Sequence, residues 1–376
     1  MLAQPPLWFI LIAFICAIGP LVFIHEFGHY LVAKLFGVGA EVFSIGFGRE
    51  IVGWTDRSGT RWKVGWLPLG GFVRFVGDEN AASAPGAADD VPEELRARSF
   101  HHKPVWQRFL IVLAGPLANF LLAILIFAAF FATLGMPRTP NTIAAIHPGS
   151  AAEAAGLRPG DRVTAIAGRE MVTFEDVFSM VVLRPGERVV VRVEREGREL
   201  TLPARIAVEE QQDRFGQRFR VGRLGIYGGK REFVRPPAGA LIPDAAAYTV
   251  SLTRSTIDGL WQIISGRRSI KDLGGPLKIA QIAGQQASLG AFEFIELLAL
   301  LSINLGFINL LPVPILDGGH LLFYAVEAVR RRPVSLRVQD WAFRGGLALI
   351  LALLLFTTVN DLDSFGLWDR LERLIG

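Results

Sequence analysis

The chain is poor in cysteine and poor in charge. Of 376 residues only Cys16 is a cysteine. No intrachain disulfide can form, and no cysteine-based zinc site is available. Charged residues make up 20% of the chain against 51% hydrophobic, and the apolar residues come in long blocks. That combination excludes an ordinary soluble protein and points to a polytopic membrane protein. The N-terminus lacks the basic stretch and the small-residue cleavage site of a secretory leader, so the first apolar run is expected to stay in the mature protein. Strong basic clustering is also missing. The net charge of +4 is spread through loops, with one run at Arg330-Arg331-Arg332. We read it as setting membrane orientation, with no nucleic-acid partner.

Four segments are long and apolar enough to span a bilayer: residues 8–35, 105–135, 292–328 and 343–360. Lysine and arginine in the short flanks orient them. Lys34 and Arg49 follow the first, Lys103 and Arg108 open the second, Arg330–Arg332 close the third, and Arg337 and Arg344 open the fourth. All four biases agree on both termini outside, residues 37–104 and 329–342 inside, and 136–290 outside.

The first span contains His25-Glu26-Phe27-Gly28-His29, preceded by WFILIAFICAIGPLVFI with no charged residue. An ionisable group at that depth costs ~2.5–3.5 kcal/mol on insertion scales. The spacing explains why it is tolerated. Histidines at i and i+4 on a helix point the same way and can share one metal ion. A glutamate next to the first is placed to take a proton from water at that metal.

Residues 41–75 are aromatic, β-branched and glycine-rich, and Asp56-Arg57-Ser58-Gly59 reads as a turn between two strands. This predicts a β-rich loop, with close backbone approach at Gly46-Phe47-Gly48 and Gly70-Gly71. It either sits at the membrane interface or lines a cavity, or is a plain cytoplasmic hairpin. Residues 78–97 read as a flexible loop. In the second span, Pro116 is expected to kink the helix, and Asn119 can bond either the metal site or a neighbouring helix.

From about 140 to 207 the composition is that of a small soluble domain. His147 to Asp161, with AGLRPGD, a strand, a glycine turn and a helical stretch near 173–182, resembles a PDZ domain of the bacterial protease type. Such a domain binds an extended peptide at a sheet edge; a spacer or size filter is the other reading. Residues 244–264 read as an amphipathic helix, lying on the membrane through Trp261, Arg267 and Arg268 or serving as a soluble connector, with a break at Gly274-Gly275-Pro276.

The third span carries Asn304, Asn309, Pro312, Pro314, Asp317 and His320. Two prolines one residue apart cannot sit in a regular helix interior, so residues 309–316 are expected to be extended, with Asp317 in a following DGG turn. Asp317 completes a three-ligand set with His25 and His29, since a carboxylate at that depth needs a strong cationic partner; a helix N-cap is the alternative. His320 is a weaker candidate. His101, His102 and His147 are assigned nothing.

HEFGH in the first span, a PDZ-like domain in the outer loop and NLLPVPILDGG in the third together resemble the site-2 protease family of intramembrane zinc metalloproteases, and within it the bacterial regulators of the sigma-E type. The resemblance implies a fold class: a polytopic α-helical membrane protein with four transmembrane segments, a membrane-associated β-rich loop and one inserted PDZ-like domain. The domains then run 1–36, 37–104, 105–135, 136–207 (PDZ-like), 208–290 (periplasmic connector), 291–328 and 329–376. It implies Zn2+ as cofactor, Glu26 as catalytic base and His25, His29 and Asp317 as ligands. It also implies that the β-loop pairs with substrate while Asn304, Asn309, Pro312 and Pro314 unwind or hold it. The implied substrates are single-span membrane proteins, such as an anti-sigma factor, or remnant signal peptides, cut in regulated intramembrane proteolysis. The implied place is the bacterial inner membrane with the PDZ-like domain periplasmic, either taking a peptide or substrate tail or filtering by size. The chain departs from better-known members in having one PDZ-like domain where they have two. Two rivals remain: a scaffold with a structural metal, against which Glu26 argues, and a metal transporter, which would leave the PDZ-like domain without a role.

Overall fold

The structure is a computed structural model that describes residues 5–78, 92–212, 218–230, 232–265, 270 and 273–364. From the N-terminus, α1 (Leu7–Leu35) leads into an antiparallel hairpin of β1 (Ala40–Thr55) and β2 (Arg61–Phe75), then α2 (Glu93–Arg96) and α3 (Val105–Thr133). A β-rich stretch follows, with β3 (Met136–Arg138), β4 (Ile143–Ile146), α4 (Ala151–Ala154), β5 (Arg162–Ile166), β6 (Arg169–Glu170), α5 (Phe174–Val182), β7 (Arg188–Arg195) and β8 (Arg198–Arg205). It continues with β9 (Ala207–Gln212), β10 (Arg218–Arg223), β11 (Ile226–Gly228) and β12 (Glu232–Val234). The chain ends in α6 (Leu241–Ile264), α7 (Pro276–Leu289), α8 (Ala291–Asn309), α9 (Asp317–Arg330) and α10 (Leu336–Ser364). Two compact units result: Met1–Ala128 with Ala245–Gly259 and Lys271–Gly376, and Ala129–Asp244 with Leu260–Ile270.

Four helices of the described residues are long and apolar enough to cross a membrane: Leu7–Leu35, Val105–Thr133, Ala291–Asn309 and Leu336–Asp363. α1 and α3 approach closely because Gly28 has no side chain. A Cβ there would stand 2.5 Å from the Ala114 carbonyl oxygen and 2.8 Å from Ala118 Cβ. α3 runs through Pro116 as one helix. The hairpin packs on this pair through Phe43, Val73 and Phe75, which share a core with Ala33, Ile111 and Tyr324. Its register slips between Ile45 and Glu50, where Gly46 takes φ +84° and a Cβ would meet the Leu67 carbonyl oxygen at 2.7 Å. The turn is set by Asp56, which accepts from Trp62 Nε1 (2.9 Å), Ser58 N (2.8 Å) and Thr60 N (3.0 Å). Burial pushes that carboxyl up, but these hydrogen bonds outweigh it and hold it well below the usual carboxylate range.

Residues 309–316 are not extended, which corrects the sequence expectation. They form consecutive tight turns, with Leu311 N on Ile308 O (3.0 Å), Val313 N on Leu311 O (2.7 Å) and Leu316 N on Val313 O (3.0 Å). An extended segment needs a partner strand to satisfy its backbone, whereas short local bonds satisfy it in place. Asp317 is likewise not in a turn but is the first residue of α9, and the N-cap position is taken by Leu316, not by Asp317.

The β-rich unit has a four-stranded antiparallel sheet in the order β6-β5-β7-β8. β7 alternates buried valines (Val189, Val191, Val193) with exposed residues, as a half-buried strand should. α5 starts with a capping box between Thr173 and Asp176. A domain end at residue 207 is too early. β11 pairs with β4 and β12 with β3, and Leu224 sits in the same core as Val163 and Val191. Strands past 207 therefore belong to this unit and not to a separate connector. Helix α6 covers the predicted amphipathic stretch, with Trp261 61% exposed; Arg267 and Arg268 lie outside the described residues, as does most of the loop expected at 78–97.

Candidate metal centre and substrate cavity

Three side chains from two helices converge on one point. His25 and His29 lie one turn apart on α1 and are 7% and 8% exposed. Asp317 opens α9. His25 Nε2 is 3.1 Å from Asp317 Oδ2, His29 Nε2 is 3.5 Å from Asp317 Oδ1, and the two Nε2 atoms are 3.3 Å apart. One donor atom from each residue fits within 4.8 Å. Asp317 Oδ2 is buried and has no hydrogen-bond partner, although His25 Nε2 is near. A buried carboxylate oxygen in that position calls for a cation. Two imidazole nitrogens and one carboxylate are a donor set suited to zinc with one position left for chemistry.

The helix α3 backs this cluster. His29 Nδ1 donates to the Ile111 carbonyl at 2.9 Å, which leaves Nε2 with its lone pair towards Asp317. Gly115 makes room for the ring: a Cβ there would stand 2.2 Å from His29 Nε2. Asn119, fully buried, places Nδ2 3.2 Å from His25 Nδ1. Of the two partners open to Asn119 in the sequence, the structure gives its side chain to His25, while its backbone carbonyl accepts from Ser302 Oγ on α8 at 2.7 Å.

Glu26 points into a cavity of about 540 Å³ that also borders His25, His29 and Asp317. Its carboxylate faces the Val73 backbone amide, and a Cβ on Gly71 would come within 3.1 Å of Glu26 Cγ. The hairpin contributes Gly70, Gly71, Phe72 and Val73 to the wall, and α8 contributes Asn309. Asn304 is elsewhere, accepting from Thr256 Oγ1 on α6 at 3.3 Å. Pro312 and Pro314 do not border the cavity. Pro314 instead lies under α9 and α10, where Cβ atoms at Gly319 and Gly346 would strike its backbone. His320 does border the cavity. His101 pairs with Asp78 at 2.9 Å, away from the cluster. The Ile111 carbonyl has no signal of its own in the sequence, and Gly115 enters there only as one of the small residues of the second span that permit close helix packing. The signal they share is spacing: Ile111, Gly115 and Asn119 recur every four residues and share one face of α3.

Comparison with known proteins bears on the whole chain. The model of peptidase family M50 matches residues 13–353. A relative in Agrobacterium fabrum, whose name provisionally makes it a zinc metalloprotease, is 43% identical over 94% of this chain and 96% of its own length. The metalloprotease MmpA of Caulobacter vibrioides is 38% identical over 97% of this chain and 98% of its own. A solved PDZ domain of an SdrC-like protein from Listeria monocytogenes matches 23% of this chain and 84% of that one at 17% identity, with a TM-score of 0.18. A match over most of the chain, with relatives covered almost end to end, makes the chain a member of peptidase family M50, the site-2 protease family.

Proposed function

We propose that this M50 peptidase is an intramembrane zinc endopeptidase that hydrolyses peptide bonds within single-span membrane segments. His25, His29 and Asp317 hold the metal, and Glu26 is the general base. The observation that carries the reading is the meeting of those three donors, with an orphaned carboxylate oxygen among them, on one wall of a cavity that Glu26 also faces. A scaffold with a structural metal has no use for a carboxylate in that place.

When bound, zinc supplies Lewis acidity, polarising a carbonyl and making water a nucleophile near neutral pH. The protein does the rest. Glu26 accepts a proton from the attacking water and returns it to the leaving amine. The facing amide of Val73 and the bare backbone of Gly71 hold that carboxylate in place. A helical substrate hides its peptide bonds, so the scissile stretch must unwind. β2 has no strand on its outer side among the described residues, so its edge at Gly70–Val73 offers backbone partners to an extended segment. The Asn309 amide adds a donor and an acceptor to the cavity lining. Asn304, Pro312 and Pro314 act behind the wall, supporting α8 and α9.

In topology, the β-rich unit is PDZ-like, single and periplasmic, and the four spans lie in a bacterial inner membrane. The unit limits access to substrates already trimmed on the outer side, or takes a substrate tail. Anti-sigma factors and remnant signal peptides fit that description, which makes the protein an agent of regulated intramembrane proteolysis.

The test is Glu26→Gln, which keeps size and one acceptor oxygen but removes the base. Zinc is expected to stay at one per chain while cleavage of a reporter membrane peptide falls by about 10²–10⁴-fold. His25→Ala and Asp317→Ala are expected to lose zinc and cleavage together. Normal cleavage by Glu26→Gln would refute the mechanism.

A further inference from the structure

A neutral imidazole carries one proton, and only the other nitrogen can bind a metal. His29 is settled by its neighbour. A carbonyl can only accept, so Ile111 O fixes the proton on Nδ1 and leaves Nε2 free. His25 is arranged the other way. The group facing its Nδ1 is the amide nitrogen of Asn119, a donor, at 3.2 Å. That makes Nδ1 the acceptor and puts the proton on Nε2, which faces Asp317 Oδ2 at 3.1 Å and His29 Nε2 at 3.3 Å. With zinc on His25 Nε2 the proton must sit on Nδ1, and two donors would then face each other in a fully buried place. The same side chain holds the remedy. Asn119 Oδ1 is buried beside its own nitrogen and has no hydrogen-bond partner.

We propose that Asn119 is the positioning residue for His25. A half-turn of its amide presents Oδ1 to His25 Nδ1–H, which commits Nε2 to the metal. This inference rests on the reading of His25 as a zinc ligand. α3 then backs both histidines in the same way, through the Ile111 carbonyl for His29 and the Asn119 carbonyl oxygen for His25. The Asn119 backbone carbonyl separately accepts from Ser302 Oγ. An acceptor behind a ligating imidazole holds the ring and raises its basicity.

The test is a chelator competition for zinc on the full chain in detergent. Asn119→Leu keeps the bulk and removes the acceptor; its zinc affinity is expected to fall by about 10–100-fold, with the melting point of the chelator-treated protein unchanged. Asn119→Asp restores an acceptor oxygen and is expected to hold zinc at least as tightly as the parent. Ser302→Ala removes only the contact to the Asn119 backbone and is expected to stay within about threefold of the parent, well short of the loss at Asn119→Leu. Parent-like affinity in Asn119→Leu, an equal loss in Asn119→Asp, or an equal loss in Ser302→Ala would each overturn the proposal. Should Asn119→Leu fail to fold, Asn119→Asp against the parent decides alone. His25→Ala separates the two levels: if it keeps zinc, the ligand reading itself fails, whereas loss of zinc there with retention in Asn119→Leu defeats only the role of Asn119.

Discussion

Gly115→Ala tests whether α3 builds the metal centre or merely lies beside it. The added Cβ would stand 2.2 Å from His29 Nε2, 2.4 Å from Cε1 and 2.8 Å from Cδ2. No real Cβ tolerates such distances, so the ring must move by roughly 1 Å, a displacement that at a catalytic group costs about 10²-fold. The ring cannot recede and also keep its 2.9 Å bond to Ile111 O. Overpacking costs about 1–3 kcal/mol and the lost hydrogen bond about 0.5–1.5 kcal/mol. Together these are about 1.5–4.5 kcal/mol, or roughly a 10- to 1,500-fold loss of zinc affinity if the whole cost falls on the metal-bound state. The helix itself gains from the change, since alanine is favoured over glycine by about 1 kcal/mol in a helix interior. The two effects have opposite signs and are measured separately. Chelator competition should show the loss of zinc affinity, and reporter cleavage should fall with it. The melting point should fall less in the chelator-treated protein, where the helix gain offsets a smaller cost, than in the zinc-loaded one. Parent-like zinc affinity in Gly115→Ala would refute the reasoning, because it would mean that His29 does not occupy this position when it binds metal.

Two further outcomes concern the rest of the chain. In the β-rich unit, Asp161 is buried and accepts from Arg195 Nε (2.7 Å) and Nη2 (2.8 Å) and from the Arg158 backbone N–H (2.8 Å). Burial pushes its carboxyl up, but Arg195 and the Arg158 amide outweigh it and hold it below the usual value. A depressed folded-state value stabilises the fold above the unfolded pKa of about 3.9 and loses that contribution as pH falls below it. Asp161→Asn should therefore cost about 3 kcal/mol at pH 7 and progressively less in acid, read as protease resistance of this unit within the full chain in urea; a pH-independent difference would contradict the assignment. For topology, with Cys16→Ser as background, a cysteine at Ser150 should react with a membrane-impermeant thiol reagent from outside and one at Ser335 should not. Outside labelling at Ser335 would invert the arrangement.

Much of the site was legible because its chemistry depends on local spacing. His25, Glu26 and His29 are set by one helical turn, and Asp317 by its position at the far end of a broken span. The four long apolar helices follow from composition alone. What the sequence hid was pairwise. That Ile111 offers its carbonyl to His29 depends on how closely α1 and α3 approach, and that depends on Gly28 meeting Ala114 and Ala118. The extent of the β-rich unit was hidden for a related reason. β11 and β12 complete it by pairing back to β4 and β3, across 80 or more positions of chain, and no local pattern announces such a partner.

The expectation of an extended stretch at 309–316 failed at an informative place. Proline was read as a helix breaker, which it is, but its more useful property here is the missing N–H. A break in a span leaves donors and acceptors without partners where water is scarce. Pro312 and Pro314 remove two donors outright, and the turns satisfy Leu311, Val313 and Leu316 locally. The carbonyls that remain are packed against glycine. A Cβ at Gly318 would strike Leu311 O at 2.2 Å, one at Gly319 Val313 O at 2.5 Å, and one at Gly346 Pro314 O at 2.2 Å. So close a fit lets the chain hold Ile315 at φ +89°, a conformation that costs a β-branched residue about 1–3 kcal/mol and persists only where its surroundings over-determine it. Two residues later the chain delivers Asp317 to the histidines. The DGG glycines and the PxP prolines are thus one device: the prolines make the irregular turn less costly at membrane depth, and the glycines press the first turn of α9 onto it. Asp317 then stands at the head of a helix rather than on a loose strand, so the third donor of the candidate metal centre comes from a helix, as the two on α1 do.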